Sequence, residues 1–254
     1  MKVLCKLGIR FLSIFVVIIC VNSNALATST VLDLSEVEKV QDILSTLTAE
    51  EKVGQLFLVG FEGTDSAVEA SVHKLIANNR VGGVMLMAEN DNFDDSEDVV
   101  LSTAKLINNL QRISWQKFNQ KSIESIGLPS PSNDNGDYLP LLIGTRNDLE
   151  RGGYIGIQDG LTPIPGAMAI GATWNTDMAL SMGEITGAEL SALGINLYVG
   201  PRLDVADAPI GNSAGGSGLS TFGGNPYWVG EMIRAFVVGV HRGSSGGIAF
   251  VGES

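Results

Sequence analysis

Asn175 to Val205 reads NTDMALSMGEITGAELSALGINLYVGPRLDV and holds one complete helix-to-strand unit. Asn175 is suited to cap a helix, because its side-chain oxygen can accept from the first turn. Met178, Met182, Ile185, Ala188 and Ala192 recur at helical spacing and predict the buried face. Gly194 then ends the helix by tolerating positive φ. Ile195 to Val199 (INLYV) is a short apolar strand, and Gly200 to Asp207 (GPRLDVAD) is a charged loop. A helix, a glycine turn and a strand apolar on both faces are the repeat of a parallel sheet with right-handed crossovers.

The same alternation runs outward in both directions. Leu32 to Leu47 reads as a helix, and Thr48 starts another with Glu51 three residues on, the spacing of a capping box. Leu56 to Gly60 (LFLVG) is a strand. Val68, Val72, Leu75 and Ile76 share a helical face. Val81 to Met87 (VGGVMLM) is the second strand, and Val100, Ala104, Ile107 and Leu110 mark the next helix. Gln120 to Tyr138 is polar and reads as a surface loop. Leu139 to Gly144 (LPLLIG) is the third strand. Asn225-Pro226 opens a helix with Val229, Met232, Ile233, Phe236 and Val240 buried, and Gly243 closes it. Gly247 to Val251 is the fifth strand.

The fold class is therefore α/β, with five strands expected to be covered on both sides. Two architectures fit: an open doubly wound sheet, or part of an eightfold β/α barrel. In either, functional side chains sit past the strand C-termini.

The first residues read as an address. Lys2, Lys6 and Arg10 precede the apolar run Phe11 to Val21, and Ala25-Leu26-Ala27 offers small residues for cleavage. Residues 1–27 are expected to be a signal peptide and 28–254 a single domain, secreted or periplasmic. Membrane association is expected only through an uncleaved signal. Cys5 and Cys20, the only cysteines, fall in this segment, so the mature chain would have no disulfide and no thiolate site. Cleavage removes three basic residues and no acidic ones, taking the net charge from −12 to −15. That disfavours nucleic acid, which is bound through Lys and Arg. With apolar residues at 44% and charged at 17%, the composition is that of a folded globular protein.

The loops after strands three and four, Thr145 to Gly153 and Gly200 to Asp207, are dense in carboxylates and arginines. Such residues suit sugar recognition, because carboxylates and guanidinium groups make directed hydrogen bonds to hydroxyls. Charged loop residues taken singly are more often merely solvated. The glycine-rich stretch Gly211 to Gly224 lacks the Lys-Ser or Lys-Thr close of a phosphate loop. His73 and His241 have no neighbours at metal-ligand spacing, so no metal and no cofactor are expected. Trp174 could stack on a sugar, although an aromatic beside a helix start more often packs.

Six ordered segments carry a resemblance. They are Leu47 to Phe61, VGGVMLM, LPLLIG, Asp159 to Ala179, Glu189 to Val205 and Ser220 to His241. Together they resemble the N-terminal domain of glycoside hydrolase family 3, which includes β-glucosidases and β-N-acetylglucosaminidases. The resemblance implies a partial (β/α)8 barrel with about five strands present, a carbohydrate ligand, and retaining hydrolysis of terminal β-O-glycosidic bonds. It points to Asp148, Asp204 and Arg202 as substrate-binding residues. It also marks departures. Arg146 stands where the family commonly has a sugar-binding Asp, and Ser220 where it usually has an Arg. Glu253 and Ser254 fall where it has a Lys-His pair. The family's nucleophile and proton donor correspond to positions beyond Ser254, so no catalytic residue is assigned.

From this the reading expects an interrupted coding sequence, an isolated polypeptide with little or no hydrolase activity, and self-association through open barrel edges. The alternative function is a non-catalytic, extracytoplasmic sugar-binding or interaction module. A nucleotide-binding doubly wound domain is a third, weakened because Phe61-Glu62-Gly63-Thr64 is not the glycine-rich turn it needs.

Overall fold

The structure, a computed structural model, describes residues 34–93, 98–126, 138–146, 157, 160–206 and 220–253. The chain divides into two units, residues 1–45 and 46–254. The first contributes most of helix α1 (Leu34–Thr46). The second runs α2 (Ala49–Gly54), β1 (Leu58–Gly60), α3 (Ser71–Asn79), β2 (Gly83–Leu86) and α4 (Val99–Ile126). It continues with β3 (Leu142–Arg146), α5 (Ala167–Gly171), α6 (Thr176–Leu193), β4 (Leu197–Arg202), α7 (Pro226–Gly243) and β5 (Ala249–Glu253). The expected signal segment lies outside the described residues.

The five strands form one parallel sheet in the order β1-β2-β3-β4-β5. A doubly wound sheet reverses its strand order at a switch point, and this one never does. Sequential order with right-handed crossovers puts the connecting helices on one side, as in a β/α barrel. The two-sided cover expected from the sequence is accordingly corrected. Val84, Ile143 and Leu86 are fully buried, and Tyr198 is nearly so. On the opposite face Leu58, Leu142 and Val251 remain 43%, 41% and 48% exposed. These strands are apolar on both faces because the second face is the one a barrel turns inward.

That second face is graded in size. One rung of the ladder runs Gly60, Met85, Gly144, Leu197, Ala249. A Cβ on Gly144 would lie 2.4 Å from the Met85 sulfur and 3.1 Å from Leu197 Cδ2. The glycine leaves room for its two large neighbours, the small-large alternation that fills the inside of a barrel.

Helix ends match their sequence signals. Thr48 accepts from the Glu51 N–H at 3.2 Å while Glu51 Oε2 accepts from the Thr48 N–H at 2.9 Å, a complete capping box. Asn175 caps α6 through the Asp177 N–H, and Asn225 caps α7 through the Trp228 N–H. Gly194 ends α6 at φ 92°.

Other boundaries differ, each for a local reason. Leu56 and Phe57 extend the turn after α2 through hydrogen bonds to Val53 and Gly54, so β1 starts later than expected. The Leu141 N–H is taken by Gln111 Oε1, which delays β3 to Leu142. Gly247 has φ 76°, unsuited to a strand, so β5 starts at Ala249. Residues 120–126, expected in a loop, continue α4, since no helix breaker occurs before Gly127.

The buried face of α6 keeps only Met182 of the five residues its apolar spacing suggested. Met178, Ile185, Ala188 and Ala192 are exposed, whereas Ala179, Met182, Gly183, Thr186, Gly187, Leu190 and Leu193 are buried. This small-residue face lies directly against α7. A Cβ on Gly183 or Gly187 would reach within 2.1 Å of Phe236 O or 2.2 Å of Val240 O. Gly239 and Gly243 return the fit at 2.1 Å from the Leu180 and Glu184 carbonyls. Gly243 therefore serves close approach; it is still helical, and Ser244 is the cap.

Candidate functional site

In a parallel sheet all carboxyl ends point the same way, so residues just past β2, β3 and β4 gather at one end. After β2 the chain turns through a short 3₁₀ segment, Ala88–Asn90, that carries Glu89. This turn is fixed by Asn92, which is 1% exposed. Asn92 Oδ1 accepts from the Met87 N–H at 2.9 Å, and Nδ2 donates to the carbonyls of Phe61 at 2.9 Å and Gly63 at 2.7 Å. One buried amide thus binds the loop after β1 to the loop after β2.

β3 ends on Arg146, whose Nη2 donates to Glu89 Oε1 at 2.6 Å. β4 ends on Arg202, which donates from Nε at 3.2 Å and Nη2 at 2.7 Å to Oδ2 of Asp204. The Arg202 and Asp204 side chains are 32% and 37% exposed. Solvent screens a pair at that depth, so it contributes at most about 1 kcal/mol. What the pair supplies is orientation: a carboxylate that accepts and a guanidinium that donates, held together at a strand end.

The structure brings Arg202 and Asp204 together, as the sequence reading grouped them. Asp148 lies outside the described residues, as do Ser254 and the Glu253 side chain. Sequence reasoning missed Glu89, although an acid just past a buried strand was the available signal. Arg146, read from sequence only as a departure, is paired with a carboxylate from the turn after the neighbouring strand β2. Among the described residues, no group of three His, Cys, Asp or Glu side chains could hold a metal ion. Likewise no helix there is long and apolar enough to cross a membrane.

The same end carries aromatics. α6 and α7 lead by short turns into β4 and β5, so they run back along the strands and start towards the carboxyl end of the sheet. Their starts bring Trp174 and Trp228 into a stack. The ring centroids are 5.1 Å apart at 27°. Trp228 Nε1 donates to the Gly171 carbonyl at 3.4 Å. Trp174 is 67% exposed and has a left-handed backbone, φ 52°, an outlier for a bulky residue. The expectation that it packs away is therefore only half met: it stacks on Trp228, yet most of the residue is in solvent.

The opposite end of the strands is built for support. Arg80 Nη2 lies 3.3 Å from Glu51 Oε1, both side chains largely buried, and Gln55 Nε2 donates to the Arg80 carbonyl. Tyr138 shares that end, where burial pushes its phenol above 10.0 against the lowering effect of a Ser114 hydrogen bond. A cavity of about 670 Å³ opens beside β1, lined by Val53, Phe57, Val59 and Leu75 among others. Glu51 and Arg80 also line it, so it belongs to this supporting end and not to the end that carries Arg146, Arg202 and Asp204.

Residues 48–251 match the glycosyl hydrolase family 3 N-terminal domain. The chain belongs to glycoside hydrolase family 3. Within that family it is 34% identical over 76 residues to probable beta-glucosidase H of Emericella nidulans, a stretch covering 30% of this chain and 9% of the relative. It is 32% identical over 102 residues to beta-glucosidase 1 of Saccharomycopsis fibuligera, covering 39% and 11%. Among solved structures, a family 3 beta-N-acetylglucosaminidase from Paenibacillus sp. str. FPU-7 aligns at TM-score 0.60 and 29% identity, over 78% of this chain and 32% of that one. A beta-N-acetylhexosaminidase from Beutenbergia cavernae DSM 12333 aligns at TM-score 0.58 and 25% identity, over 80% and 52%. This family 3 chain thus spans about a tenth of those curated relatives and a third to a half of those structures.

Proposed function

We propose that this chain is the substrate-holding part of a family 3 β-glycosidase of β-glucosidase or β-N-acetylglucosaminidase type. The observation that carries the reading is the continuous family match over residues 48–251, on a parallel sheet of barrel order. The polar pairs at the carboxyl ends of β3 and β4 support it. A pyranose hydroxyl would donate to the Asp204 carboxylate and accept from the Arg202 guanidinium, with Glu89 and Arg146 offering a second such pair. Asp148 completes the proposed contact set from the family resemblance alone.

Retaining hydrolysis needs a nucleophile and a proton donor about 5–5.5 Å apart. The resemblance assigns neither to these 254 residues, so the polypeptide by itself is expected to turn over no glycoside. Purified protein is assayed with p-nitrophenyl β-glucoside and p-nitrophenyl N-acetyl-β-glucosaminide, and turnover above background refutes the inactivity. Calorimetry with glucose and N-acetylglucosamine tests the site. The expected result is weak binding that Asp204→Asn abolishes, and equal binding by the variant rejects the assignment. Export is part of the same proposal, and a secreted protein whose N-terminus follows Ala27 is the result that supports it.

A further inference from the structure

We propose that Trp174, backed by Trp228, is a second carbohydrate contact, a flat platform outside the polar strand-end site that takes a pyranose ring of a longer β-linked oligosaccharide. The assignment deepens the carbohydrate reading above and rests on it.

Three observations carry it. First, the ring is presented rather than packed. It stacks on Trp228 at 5.1 Å and 27°, yet 67% of the residue is in solvent. One π-face meets the neighbouring indole, and the exposure of the residue leaves the rest of the ring accessible to a ligand. Second, the platform is stiff. The Trp228 indole N–H bonds the Gly171 carbonyl. Gly171 itself lies against the backbone of Phe222, where a Cβ would meet the Phe222 oxygen at 1.8 Å. Trp174 holds a left-handed backbone that bulky side chains avoid, so the surrounding turn fixes its direction. Third, Trp174 and Trp228 start the region where α6 and α7 leave the sheet, the same end that carries Arg146, Arg202 and Asp204.

The chemistry selects the ligand. An aromatic face is electron-rich and attracts the weakly positive axial C–H groups of a β-pyranose, and the apolar ring face loses water on contact. Hydroxyls at the ring edge stay solvated or meet nearby polar groups such as Asn175 and Thr173. An oligosaccharide long enough to reach from Asp204 to Trp174 gains both contacts in one binding event.

The test compares methyl β-glucoside, cellohexaose and chitohexaose by titration of the purified full chain, with indole fluorescence and calorimetry as readouts. Wild-type protein is expected to bind one hexasaccharide more tightly than the monosaccharide. Trp174→Ala is expected to weaken the hexasaccharide by about tenfold while leaving the monosaccharide unchanged, and Trp174→Phe to restore most of the loss. Circular dichroism confirms that each variant is folded. Equal hexasaccharide binding by wild type and Trp174→Ala overturns the platform and leaves the Asp204 site standing. A wild-type protein that binds none of the three sugars overturns both. Trp174-dependent association of the protein with itself, seen by sedimentation, also overturns the platform by making the ring a protein contact.

Discussion

At the scale of single residues, Asn92 is the most consequential polar side chain. It meets one N–H and two carbonyls from two loops, all at 2.7–2.9 Å, in a place water hardly reaches. Asn92→Ala is expected to cost about 2–4 kcal/mol, because each orphaned buried group loses a partner it cannot replace. Asn92→Asp keeps the acceptor for the Met87 N–H but turns a carboxylate towards two carbonyls, so it is expected to be no better. Urea midpoints measure both, and an unchanged midpoint for Asn92→Ala disproves the latch. Tyr138 gives a second test. Its folded phenol holds its proton above the unfolded value of 10.0. The stability this supplies is complete below pH 10 and is lost as pH rises through the higher folded value. Wild type is therefore expected to lose stability faster than Tyr138→Phe as pH rises above 10, read from thermal midpoints. Neither role was legible beforehand. An asparagine or tyrosine in a chain says nothing of the partners that arrive from 27 to 31 residues away.

At the scale of elements, the α6–α7 pair shows how a helix face can be hidden from hydrophobic periodicity. The buried stripe of α6 is Gly183, Thr186 and Gly187 flanked by Met182 and Leu190, while Met178, Ile185, Ala188 and Ala192 of its apolar-looking stripe face solvent. Glycines carry no hydropathy signal, yet they set how closely two backbones meet. Gly187→Ala and Gly239→Ala are each expected to destabilise the fold by about 1–3 kcal/mol, since the new methyl would overlap a carbonyl unless the helices part. Gly230→Ala is the control on the same helix: nothing lies within 4 Å of its Cβ, and the change is expected to add up to about 1 kcal/mol. If all three variants melt together, the close approach is not what holds the pair. By contrast, α7 largely obeyed its pattern, with Val229, Met232, Phe236 and Val240 buried and Ile233 partly buried against the same core. Its apolar residues are large and face the core, the condition under which periodicity works.

At the scale of the whole molecule, the helix-free face of the sheet governs behaviour. Leu58, Leu142 and Val251 are each exposed by more than two-fifths, and β1 and β5 are the outer strands among the described residues. Unpaired edges beside wet apolar surface favour association. The isolated 254-residue chain is expected to self-associate at micromolar concentration and to bind an apolar dye, with Val251→Lys reducing both. A monodisperse monomer that ignores the dye disproves this. The sequence by itself determined the alternation of helices and strands, the caps at Thr48, Asn175 and Asn225, the family, and the Arg202–Asp204 loop, because each is written in neighbouring residues. The local repeat is common to an open wound sheet and a barrel, the family resemblance pointed to the barrel, and only the tertiary structure showed the strand order that distinguishes them. It alone joined Glu89 to Arg146, turned the glycine face of α6 inward and left Trp174 in solvent, because those outcomes depend on what residues far along the chain place opposite.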